Sequence, residues 1–100
     1  MHVNPFCAWM NMSRSGRDRA LATLRRMADG RGILVTWRDG KHVISGPEID
    51  TLTDLVAARA IVPDPEVLTA YQKEHGAIGY AITALGRELA AAGLPAGVTQ

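Results

Sequence analysis

The stretch ILVTW-RDGK-HVIS, residues 33–45, decides the fold class. Two runs rich in β-branched residues, 33–37 and 42–45, flank Arg38-Asp39-Gly40-Lys41. Asp-Gly between such runs is a preferred two-residue hairpin turn, because both central positions take positive φ, which aspartate tolerates and glycine adopts freely. The sequence therefore predicts one β-hairpin over 33–45, with Asp39-Gly40 at its turn. The segments around it read as helix, so the expected class is α+β: a small, mostly helical single domain carrying one hairpin.

Upstream, Ala20, Leu21, Leu24, Met27 and Ala28 recur at three-to-four spacing, while Arg17, Arg19, Arg25, Arg26 and Asp29 fall on the other side. That periodicity predicts an amphipathic helix over about 17–29, stopped by Gly30. Downstream, Ser45-Gly46-Pro47-Glu48 has the form of a capping box, in which hydroxyl and carboxylate each take an orphan amide. It predicts a helix over 48–60 with Ile49, Leu52, Leu55 and Val56 turned inward. Pro63-Asp64-Pro65 ends that helix and starts another over 65–75, with Asp64 as N-cap and Val67, Leu68 and Tyr71 as its apolar set. Residues 77–92 fit a helix through Ile78, Ile82, Leu85, Leu89 and Ala92, yet Ile78, Tyr80 and Ile82 also alternate as a strand would. Length and alanine content favour the helix, against a cost of about 1 kcal/mol each for Gly79 and Gly86.

A chain of 100 residues supports one core. The expected organisation is an N-terminal arm over 1–12, a globular domain over 13–95 and a C-terminal tail over 96–100. With 47% hydrophobic and 21% charged residues, the composition is globular and excludes wholesale disorder. Residues 1–13 are interrupted by Asn4, Pro5 and Asn11 and have no cation ahead of them, unlike a signal peptide or spanning helix. The expected compartment is the cytoplasm. Phe6, Trp9, Met10 and Met12 leave the arm two readings: a terminal arm that either hangs loose or covers core, or one that meets a partner through residue types favoured at interfaces.

Catalytic chemistry is hard to assemble from these residues. Cys7 is the single cysteine, and its apolar neighbours Phe6, Ala8 and Trp9 suit a structural thiol better than a nucleophile. His2, His42 and His75 are far apart, and none stands at helical spacing from a second ligand, so no zinc or iron set is expected. No nucleophile elbow, phosphate loop or dinucleotide turn follows a strand. The expectation is a non-enzyme with no catalytic residue, no cofactor and no metal.

Charge is balanced at +1 overall but split, with +3 over residues 1–50 and −2 over residues 51–100. A dedicated nucleic-acid binder carries a larger clustered excess, since each phosphate contact needs a cation. Two charged sets stand out: Arg14, Arg17, Arg19, Arg25, Arg26 and Arg31 around the first helix, and Glu48, Asp50 and Asp54 at the start of the second. The helix dipole alone accounts for carboxylates in a first turn. Asp29, at a helix C-terminal end, opposes the dipole and so lacks that local explanation.

Two resemblances add to this reading. Leu55-Val56-Ala57-Ala58-Arg59-Ala60-Ile61-Val62, then Tyr80-Ala81-Ile82-Thr83-Ala84-Leu85-Gly86-Arg87-Glu88-Leu89, resembles the end of a winged helix-turn-helix domain. In that family a recognition helix runs into a strand, a wing follows, and an LT-x-x-G-R segment opens the closing helix. The resemblance implies a small DNA-binding transcriptional regulator. The departures are Glu48, Asp50 and Asp54 on the would-be recognition helix, with Arg59 as the only nearby cation, and Asp64 and Glu66 in the would-be wing. Carboxylates there repel phosphates.

The whole chain, in length and composition, looks like the small phage and prophage proteins that inhibit type I CRISPR–Cas surveillance complexes. That resemblance implies a non-enzymatic inhibitor in the host bacterial cytoplasm. It would dock on subunits of the RNA-guided complex and block target-DNA recognition, often with acidic residues where phosphates would sit, and would not bind nucleic acid itself. Near-neutral charge and the acidic helix start place the inhibitor ahead of the regulator. The expected partner contacts are Glu48, Asp50 and Asp54, then Asp29, with Arg17 and Arg25 as the opposite, basic face.

Overall fold

A computed structural model describes residues 5–39 and 42–92, which run as α1 (Pro5–Met10), α2 (Arg14–Asp29), β1 (Ile33–Asp39), β2 (His42–Ser45), α3 (Ile49–Ala57), β3 (Ile61–Pro63), α4 (Ala70–Glu74), β4 (Ile78–Ile82) and α5 (Ala84–Ala92). A 3-10 turn, Pro65–Val67, precedes α4. The strands form one antiparallel sheet in the order β2-β1-β4-β3. This is a small α+β domain, as the residue pattern predicts. The core lies between α2, α3, α5 and one sheet face, and includes Leu24, Met27, Leu52, Leu55, Ile61, Tyr80 and Leu89.

Helix α2 begins a little earlier than the apolar stripe suggests. Ser13 is its N-cap, its hydroxyl accepting from the Gly16 N–H at 3.0 Å. Its inward face is Ala20, Leu24 and Met27, all buried, with Leu21 packed against them. The arm at 1–12 proves to cover core where it is described. Helix α1 packs against α3, and Trp9 is 1% exposed. Residues 1–4 of that arm, and 93–100 including the expected tail, lie outside the described residues.

The hairpin forms, with a shifted turn. Trp37 pairs with Ser45, but Arg38 pairs with Val43 and Asp39 with His42, so a bulge falls between Trp37 and Arg38. The extra residue, Ile44 of β2, moves the register by one, and Asp39 is the last paired residue of β1 instead of a turn centre. Gly40 and Lys41, which follow it, lie outside the described residues.

Beyond the hairpin, local expectation and structure part in four places. The capping box at Ser45 and Glu48 does not form: Ser45 ends β2, Gly46 turns at φ 120°, and Glu48 is an N-cap with no side-chain hydrogen bond. Helix α3 stops at Ala57 instead of residue 60, with Val56 at 36% exposure instead of turned inward. The helix expected over 65–75 is split into the 3-10 turn and α4. Asp64 does cap the turn, its carboxylate accepting from the Glu66 N–H. Thr69 and Gln72 then make a separate capping box for α4 at 3.2 and 2.8 Å. Tyr71, expected to be apolar filling, is 65% exposed.

The fourth difference matters most. Residues 78–82 are strand, and only 84–92 of the expected 77–92 helix is helical. Strand β4 lies between β1 and β3, so its main-chain groups are taken by ladders on both edges. Two ladders outweigh a local helical preference over five residues. Gly79 suits this position, since a Cβ there would lie 2.5 Å from Val67 Cγ2 and 2.8 Å from the Asp64 carbonyl oxygen. Thr83 makes the break: its hydroxyl accepts from the Gly86 N–H and donates to the Arg59 and Ala60 carbonyls.

Arg59 sits at φ 55°, a left-handed conformation uncommon for a side chain with a Cβ. Arg59→Gly is expected to stabilise the fold by about 0.5–1 kcal/mol, the relief of strain exceeding the added freedom of the unfolded chain. Urea titration checks this; a lower midpoint would mean the arginine side chain contributes more than the strain it causes.

Candidate functional surface

Helix α3 presents the acidic set. Glu48 precedes its first turn and is exposed, Asp50 is exposed in that turn, and Asp54, one turn on, is half-buried. No lysine or arginine occurs within Ile49–Ala57, and none of the three carboxylates has an ion pair or side-chain hydrogen bond among the described residues. The three acids therefore lie within seven residues at and beyond the start of α3, with no ion pair among the described residues. Backbone dipoles favour Asp50 there, but they neither require three acids nor exclude cations further along.

The other expected contacts lie on α2. Asp29 is its last residue and is exposed. Arg17 is half-buried with Nη1 4.0 Å from the Met10 sulfur. Arg25 donates from Nε to the Ala90 carbonyl at 3.2 Å, tying α2 to α5. Arg25 thus has a role within the fold, whereas the acids of α3 have none that the structure displays.

A feature that periodicity did not point to is Arg38. It lines a groove of about 220 Å³ beside α3, with Leu52, Val56 and Tyr80 among the walls. Its guanidinium donates to the Tyr80 hydroxyl, and its Nε is buried without a partner among the described residues. The sequence signal was weak because Arg38 sits beside the turn, where a cation reads as solvated. Alternation along β1 instead places it, with Leu34 and Thr36, on the face that carries Tyr80 and the core.

The remaining chemistry-bearing side chains stay apart. Cys7 is exposed, so its apolar sequence neighbours do not enclose it. His75 stacks on Tyr71 at 4.0 Å between centroids, with Nδ1 2.8 Å from the Tyr71 carbonyl oxygen. His2 and the His42 side chain lie outside the described residues. Among the described residues no group of three or more His, Cys, Asp or Glu could hold a metal ion.

Comparison with known proteins yields no match to this chain among family models, curated proteins or solved structures. No helix among the described residues is long and apolar enough to cross a membrane.

Proposed function

We propose that the protein is a non-enzymatic inhibitor whose α3 face docks on a basic, nucleic-acid-binding surface of a protein partner. A bacterial type I CRISPR RNA-guided surveillance complex, in the host cytoplasm, is the partner the whole-chain resemblance names. One observation carries the reading: Asp50 and Asp54 share a face of α3, Glu48 stands at its N-cap, and none of the three has an ion pair among the described residues. Such a concentration of carboxylates complements lysines and arginines arranged to hold phosphates.

The wiring supplies a specific second reading. Helix α3 runs into β3, a 14-residue connection over 64–77 leads to β4, and Thr83 opens α5. That order is the one the winged helix-turn-helix resemblance implies, and it favours a small DNA-binding regulator. The charges favour the first reading. The helix in the recognition position bears acids, and the connection carries Asp64, Glu66 and Glu74 against Lys73. Winged-helix wiring with an acidic outer face suits a basic protein surface better than a duplex.

The test mixes the purified protein with the loaded complex and, separately, with free duplex DNA at about 0.15 M salt. Comigration with the complex and loss of its target binding are expected, with no shift of the free duplex. The variant Glu48→Lys/Asp50→Lys/Asp54→Asn is expected to inhibit at least about tenfold less while keeping the wild-type far-UV spectrum, tenfold being about 1.4 kcal/mol. Undiminished inhibition would remove these residues from the contact; salt-sensitive binding to the duplex would establish the regulator instead.

A further inference from the structure

The sheet has an edge that its own strands leave open. Ile82 donates its N–H to the Gly32 carbonyl at 2.8 Å, so the alternation of an antiparallel ladder turns the main-chain groups of Ile33 and Val35 away from β4. Strand β2 occupies that outward edge only from Trp37 onward, and Gly46, packed on Thr36, carries the chain away from it. No described residue pairs with the edge at Ile33 and Val35. A cleft of about 610 Å³ lies at this place, between the open edge, α2 and the segment at 45–48. Its size is within the usual span of binding pockets, about 300–1,000 Å³.

The walls indicate what would enter. Arg19 and Arg26, seven residues apart on α2, both line the cleft, and neither guanidinium has a hydrogen bond or ion pair with a described residue. Among the described residues Glu48 is the one carboxylate in the lining, so their net charge at the cleft is positive. Unpaired strand groups select an extended backbone, because only another strand satisfies alternating N–H and C=O groups in register. We propose that this cleft binds an extended, acidic peptide segment of a partner protein by strand addition to β1, with Arg19 and Arg26 reading its carboxylates. A second copy of the chain is the less suited occupant: pairing β1 with itself would bring two pairs of like charges to one interface. The site is separate from the α3 face apart from Glu48, so it can be tested without altering that face.

A phage-displayed library of random linear dodecapeptides, selected on the immobilised full-length chain, provides the probe. The expected result is enrichment of peptides rich in Asp and Glu. The best of them, added to 15N-labelled protein, is expected to shift the amides of Ile33 and Val35 and slow their hydrogen exchange. Arg19→Ala/Arg26→Ala, both at exposed positions, should bind that peptide about tenfold or more weakly with an unchanged far-UV spectrum. Methylating alternate peptide amides should weaken it equally, which loss of charge alone would not explain. No enrichment over bare support, enrichment without an acidic excess, shifts confined to other elements, or a dimer that forms through Ile33 and Val35 would each overturn the proposal.

Discussion

Trp9→Ala is expected to lower the stability of the protein by about 3–5 kcal/mol, the range for deleting a large buried aromatic side chain. For a chain of this size that is a fall in unfolding midpoint of roughly 12–40 °C. Trp9 is 1% exposed and belongs to the same cluster as Leu52 and Leu55 of α3, against which α1 packs. A six-residue helix has no stability of its own, so α1 persists through this side chain and its neighbours. The truncation therefore opens a cavity and also releases the helix that carried the indole. Met10→Ala is the control: Met10 is adjacent but 41% exposed, and its loss should change stability by no more than about 0.5 kcal/mol. Urea titrations of both variants read the difference directly. Equal, small effects would show that residues 5–10 lie outside the cooperative unit.

Gly86→Ala is expected to destabilise by about 2–3 kcal/mol, although helix propensity alone points the other way by about 1 kcal/mol. Gly86 is buried in α5, and a Cβ there would lie 2.1 Å from the Ala60 carbonyl oxygen and 2.7 Å from Ile82 Cγ1. The nearest obstacle is backbone, so a side-chain rotation cannot relieve it. The methyl group would push α5 away from the start of β3 and strain the hydrogen bond from the Gly86 N–H to Thr83. Because Thr83 also donates to Arg59 and Ala60, the junction of α3, β3 and α5 loosens as a unit. Thermal unfolding is expected to fall by roughly 8–24 °C. A midpoint unchanged or raised would mean that α5 shifts without penalty.

The same residues show how far the sequence could be read. Helix α2 and the hairpin were legible because their signals are local: a 3.6-residue apolar period, a glycine stop, and a turn between two β-branched runs. The pairing of Asp50 with Asp54 was legible too, since residues four apart on a helix share a face whatever packs beneath them, and Glu48 is their neighbour in sequence at the helix start. Arg38 and the cleft beside Ile33 were not, because each depends on how β1 lies against β4, α2 and the segment at 45–48, all distant from it in the chain. Trp9 could be read as part of a loose arm, as covering core or as meeting a partner until α3 was seen beside it.

By itself, then, the sequence determined a single α+β core, the amphipathic faces of α2 and α3, and an acidic helix start without cations. Only the tertiary structure decided that residues 78–82 are strand, that the Ser45–Glu48 box stays unmade, and that Gly86 is a point of close approach instead of a weak spot in a helix. The physical reason is common to all three. Propensity and capping act over three or four residues with energies near 1 kcal/mol, and partners distant in sequence outweigh them. For 78–82 those partners are β1 and β3. For Ser45 the partner is Trp37, which draws the residue into the ladder before it can cap α3. For Gly86 it is the Ala60 carbonyl, 26 positions away in the chain and in contact only once α5 has folded back over β3.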